Sequence, residues 1–189
     1  MKNKSIGDWL KVALISAISL ILMQFIRVPL VPTAPFLTCD FSEVPALMLA
    51  FVLGTWAGVA VIVIKNLTFF LLSMAPWEFV GIPANIIMGV SLVGISSYLY
   101  RRKVELGVYN RSEMIRAFIW GGLLTSLLML PVNVVAYWLM ANFFTDISLP
   151  SLTSYIVAMV LPFNLLKCFF TCLVVGMSLN KILFLVKKR

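Results

Sequence analysis

Lys167 stands in the middle of an apolar run, SYIVAMVLPFNLLKCFFTCLVVGMSLNKILFLV, where an ionisable side chain needs a reason to be. At 1.5 Å per helical residue it lies ~18 Å from Tyr155 and ~21 Å from Lys181, too deep to snorkel easily to either interface. A charge at that depth costs ~3 kcal/mol on insertion scales and usually faces a cavity or a partner. Asn164 precedes it by three residues and shares its helix face. Pro162 has no N–H for the carbonyl of Ala158, which frees an acceptor and loosens the backbone at the same level. The three residues make a polar notch offering ammonium and amide donors and a spare acceptor. The plainer alternative is a lysine tied into interhelical hydrogen bonds. No carboxylate is expected at the matching depth of another span, so an internal salt bridge is not expected to neutralise Lys167.

The same pairing of proline and amide recurs. Asn133 follows Pro131 in LMLPVNVVAYWL, and Asn85 follows Pro83 in GIPANIIMG. Counted from the neighbouring outer loop, Asn133 and Asn164 lie at comparable depth, so they can converge. Asn85 lies nearer the outer surface, where an interhelical hydrogen bond is as good a reading as a ligand contact. Phe36, Phe41, Trp77, Phe79, Tyr137, Trp138, Tyr155 and Phe163 surround these positions, and most are expected in the core or the interfacial belt. Phosphate loops of the GxxxxGK[ST] type, HExxH, GxSxG and paired intramembrane carboxylates are missing from the sequence. That argues against an ATPase, a zinc or serine protease and a carboxylate-driven proton carrier, and the chain is expected not to be an enzyme.

The elements that position these residues follow from composition. With 62% hydrophobic and only 12% charged residues, against about 25% charged in soluble domains, the chain is an integral membrane protein. Apolar segments fall at roughly 9–31, 45–64, 79–100, 114–141 and 153–186, with a shorter one at 66–74. The expectation is an all-α, six-helix transmembrane bundle with a short third helix, forming one domain over 1–189. The basic, apolar N-terminus reads as a retained first helix, since no clear small-residue cleavage site follows it. With both termini cytoplasmic, thirteen of the fifteen Lys and Arg, Lys65 included, fall on the inside, as the positive-inside rule demands. Arg27 and Lys167 are the two left over. The net charge of +8 thus reads as topology, with the lipid bilayer as partner and no nucleic acid. The connection after helix 1 carries Pro29, Pro32, Pro35 and Pro45 and is apolar for a loop, as suits a structured cover. Cys39, Cys168 and Cys172, with no His in the chain, favour packing over a metal or disulfide role.

Taken together, PFLTCDFSEVPAL, GTWAGVAVIVIKNLTFFL and PFNLLK resemble the riboflavin-specific S components of energy-coupling factor (ECF) transporters. The resemblance covers nearly the whole chain, although Gly54-Thr55-Trp56 stands where a Gly-Pro pair is expected. It implies a bacterial plasma-membrane subunit that captures a vitamin from outside beneath the loop joining helices 1 and 2. It further implies association with a transmembrane T component and two ABC-type ATPases, with Ala13 and Ala17 on the docking face. Carried over by motif, Asn133, Asn164 and Lys167 match polar contacts to riboflavin, and Leu37, Thr38 and Asp40 lie in the closing loop; Asn85 joins them as a third amide. No cofactor is implied beyond the transported flavin itself, and FMN fits if its phosphate points outward. The other readings are an S component for a different vitamin, a membrane assembly subunit and an intramembrane enzyme using Lys167.

Overall fold

A computed structural model describes residues 5–30, 37–73, 78–108, 110–143 and 150–178, together with 180, 181 and 184. Six helices account for most of it: α1 (Ile6–Phe25), α2 (Glu43–Leu53), α3 (Thr55–Ser73), α4 (Glu78–Glu105), α5 (Arg111–Phe143) and α6 (Leu152–Met177). Between α1 and α2, strand β1 (Val28–Pro29) pairs antiparallel with β2 (Thr38–Cys39), Val28 opposite Cys39. The tip of this connection, 31–36, and the expected cover it forms lie outside the described residues; its stem delivers Leu37, Thr38 and Asp40 to the bundle.

The short helix is the second, not the third. Among the described residues five helices are long and apolar enough to cross a membrane, and α2, with 11 residues, is not one of them. Hydropathy places a break at Lys65, whereas the chain turns at Gly54, whose φ of 116° lies in a region that L side chains avoid. A single backbone conformation inside an apolar run leaves composition unchanged, so averaging over a window passes straight across it. Lys65 then falls well inside α3, fully buried, and is not a flanking charge.

Cross-contacts show the helices alternating in direction. At one end Trp9 meets Trp56, with ring centroids 5.3 Å apart, and Lys103 of α4 approaches Glu113 of α5 at 4.0 Å. At the other, Arg27 bridges to Glu78 at 3.1 Å and Phe70 packs on Phe79 at 5.0 Å. The core centres on α2, whose Ala46, Leu47, Ala50 and Phe51 are completely buried. Gly58 of α3 permits this, because a Cβ there would stand 2.6 Å from the Ala46 carbonyl oxygen, Ala50 and Val93 alike. In α6 the stretch Tyr155–Val160 is a π-helical turn, with the Leu161 N–H reaching back to the Ile156 carbonyl. It lies immediately ahead of Pro162, which cannot close a regular turn.

Candidate ligand-binding site

A cavity of about 250 Å³ opens among α1, α4, α5, α6 and the 37–40 segment. Asn85, Asn133, Asn164 and Lys167 line it, and Leu37, Thr38 and Asp40 contribute the wall supplied by the connection. All seven residues singled out from the sequence therefore meet at one place, although they come from four separate stretches of chain.

At the base, the Lys167 ammonium donates to Asn85 Oδ1 at 2.8 Å and lies 3.6 Å from Asp40 Oδ2 and 3.7 Å from Glu43 Oε1. The expectation of a lysine without an acidic neighbour is thus corrected. The carboxylates arrive not from a long span but from the connection that dips inward and from the first turn of α2. Behind them, Lys65 bonds Glu43 Oε1 at 2.9 Å and donates to Ser42, whose hydroxyl donates in turn to Asp40. The Ser42 N–H donates to the same Asp40 oxygen at 3.0 Å. Two ammonium groups and two carboxylates, all nearly inaccessible, sum to zero charge, the condition under which buried ions are tolerated.

The amides are oriented by backbone and by one another. Asn133 Nδ2 donates to the Met129 carbonyl at 2.8 Å and Asn164 Nδ2 to the Val160 carbonyl at 2.9 Å. Each is thereby fixed with one N–H engaged by its own helix, which leaves the side-chain oxygen and the second N–H to meet a ligand. Asn85 differs: its nitrogen donates to Asn66 Oδ1 at 2.9 Å while its oxygen receives Lys167. It lines the cavity mainly as the brace of the lysine. Apart from Arg27 and Glu78, the remaining wall is largely apolar and soft, with Met23, Met88, Met129 and Met140 together with Tyr155 and Phe163. A small set of directional polar groups in an apolar slot suits a flat, hydrogen-bonding molecule.

Comparison with known proteins decides the family. A family model described as "ECF transporter, substrate-specific component" matches residues 10–179. The chain belongs to that family. This S component is 33% identical to the riboflavin transporter RibU of Staphylococcus aureus, covering 82% of this chain and 79% of that one. With RibU of Streptococcus thermophilus it shares 30% identity, over 82% and 73% of the two chains. A solved structure described as "Structure and mechanism of the S component of a bacterial ECF transporter" superposes with a TM-score of 0.76 at 25% identity, covering 93% of this chain and 94% of that one.

Within this S component the other sequence expectations separate clearly. Ala13 and Ala17 are exposed on α1, along the flank of the stripe formed by its buried Val12, Ser16, Ser19 and Met23. Of the aromatic residues considered, Tyr155 and Phe163 line the cavity, Phe79 and Trp138 face outward, and Phe36 and Trp77 lie outside the described residues. Sequence reasoning missed Ser42, Glu43, Lys65, Arg27 and Glu78 as members of the site or its support. One signal was available for Lys65, a charge within an apolar run; the break at Gly54 folds that run against the helix that Glu43 opens.

Proposed function

We propose that this S component captures riboflavin from outside the cell, for ATP-driven uptake by a T component and two ABC-type ATPases. The observation that supports the reading is the cavity lining, to which Lys167, Asn133 and Asn164 bring polar groups and Tyr155 and Phe163 bring aromatic rings. Isoalloxazine presents two carbonyls and one N–H along its imide edge. The ammonium donates to a carbonyl, an asparagine oxygen accepts the N–H, and the tricyclic body fills the methionine-lined slot. The ribityl chain then runs away from the Lys167–Asp40 base toward the mouth. Relatives named riboflavin transporters support the choice of vitamin.

In this reading both termini are cytoplasmic, because the end of the bundle holding Lys11, Arg101, Arg102 and Lys103 is the basic one. The second crossing is completed by α2 together with the connection that dips to meet it. The exposed Ala13–Ala17 face of α1 docks the T component. The chain performs no catalysis of its own.

The test is direct. Protein purified in detergent should carry flavin absorbance or quench added riboflavin fluorescence on binding. If thiamine or biotin displaces or replaces riboflavin, the vitamin is wrong while the family stands. If no vitamin binds at all, a role confined to membrane assembly replaces the reading.

A further inference from the structure

The mouth of the cavity carries a second ion pair that the imide contacts leave unused. Arg27 lies just beyond the C-terminal end of α1 and Glu78 opens α4; both line the cavity. Arg27 is held on three sides: Nε donates to the Met23 carbonyl at 2.8 Å, Nη1 to Glu78 Oε1 at 3.1 Å, and the guanidinium lies 4.2 Å from the centroid of the Phe69 ring. Its side chain is 28% exposed and that of Glu78 is 11%, so the pair faces the entrance without being loose in solvent. Glu78 precedes Asn85, the brace of Lys167, by seven residues on α4. That spacing puts the mouth pair ~10 Å from the base along the helix.

Among the described residues, the charged side chains lining the cavity are Arg27, Lys167, Asp40 and Glu78, two of each sign. Each end is balanced separately: Arg27 by Glu78, and Lys167 by Asp40 and by a Glu43 that it shares with Lys65. A hydroxyl both donates and accepts, so one placed at the mouth satisfies Glu78 and Arg27 together. A phosphate ester, carrying about −1.5 to −2 charge and only accepting groups when ionised, can use Arg27 alone and must stand beside the Glu78 carboxylate.

From this we infer that Glu78 is a specificity-determining residue: by occupying Arg27 it makes the mouth select a neutral polyol end over a phosphorylated one, favouring riboflavin over FMN. This deepens the riboflavin reading and rests on it. Replacing Glu78 by Gln keeps shape and hydrogen-bonding capacity, removes the charge, and releases Arg27 for the planar, charge-assisted pairing with phosphate at which guanidinium excels.

The experiment measures dissociation constants for riboflavin and FMN by fluorescence quenching, at one ionic strength, for the unsubstituted protein, Glu78→Gln, and Arg27→Gln/Glu78→Gln. Reading the FMN-to-riboflavin ratio within each protein cancels any general loss of affinity. The expected result is a shift of about tenfold toward FMN in Glu78→Gln, abolished in the double variant. An unchanged ratio in Glu78→Gln, or a gain that survives the removal of Arg27, overturns the inference while normal riboflavin binding keeps the functional reading intact. Failure of the unsubstituted protein to bind riboflavin removes that reading, and the inference with it.

Discussion

Lys65→Met tests whether the cluster beneath the cavity is held by charge balance. Lys65 does not line the cavity, so any consequence must travel through its partners. In the native arrangement two lysines face Asp40 and Glu43; removing Lys65 leaves one cation for two buried carboxylates, a net charge of −1 at that depth. It also withdraws the 2.9 Å bond to Glu43 and the donor to Ser42. Breaking a buried pair by deleting one partner typically costs about 3–5 kcal/mol. At 2–4 °C per kcal/mol for a chain of this size, the unfolding midpoint should fall by ~6–20 °C. Glu43→Gln errs in the opposite direction, to +1. The double variant Lys65→Met/Glu43→Gln returns the cluster to neutrality, leaving Lys167 with Asp40, and should recover most of the loss. Thermal unfolding of ligand-free protein in detergent reads all three. The reasoning fails if the double variant is as unstable as the sum of the single ones, or if Lys65→Met alone is harmless.

Further outcomes follow from individual contacts. Lys167→Ala and Asn164→Ala should each weaken riboflavin binding by about 1–3 kcal/mol, the scale of one lost hydrogen bond to a charged or neutral group; titration by fluorescence quenching checks this, and unchanged affinity in both contradicts the pocket assignment. Leucine at Ala13 and Ala17 should stop uptake into cells or vesicles containing the full transporter while leaving flavin binding in detergent intact, since both positions are exposed on α1. Gly58→Val should cost about 1–3 kcal/mol of stability from overpacking, because one of the atoms that a Cβ would meet at 2.6 Å is the Ala46 backbone oxygen; an unshifted unfolding midpoint would show that α2 and α3 part without strain.

The cavity was legible because its signals are local. Asn164 and Lys167 share a face by helical spacing, and the prolines beside Asn133, Asn164 and Asn85 each withhold a backbone donor inside an apolar helix, with irregular backbone only ahead of Pro162. The counter-charges were not legible, because Asp40 and Glu43 reach Lys167 through tertiary approach and no spacing along the chain encodes that. Lys65 misled for a physical reason: beside an apolar run, a lysine at a span boundary and a lysine buried against glutamate have the same local composition. What separates them is the left-handed backbone at Gly54, one dihedral angle in one residue. Arg27 stood out in the charge map as unexplained by topology, and the structure supplies its partner in Glu78.

The widened turn at Tyr155–Val160 bears on how chain length is used. A π-helical turn accommodates one residue more than the α-helix it interrupts, and each α-helical residue advances rotation by ~100°. Deleting a single residue there would let α6 run regularly, and every side chain on its outer side would swing by about that angle relative to Asn164 and Lys167. Tyr155 would leave the cavity wall and its contact with Tyr137 without a letter of the binding residues having changed. The number of residues between Ser151 and Pro162 is therefore part of the site's specification, as much as the identity of any side chain within it.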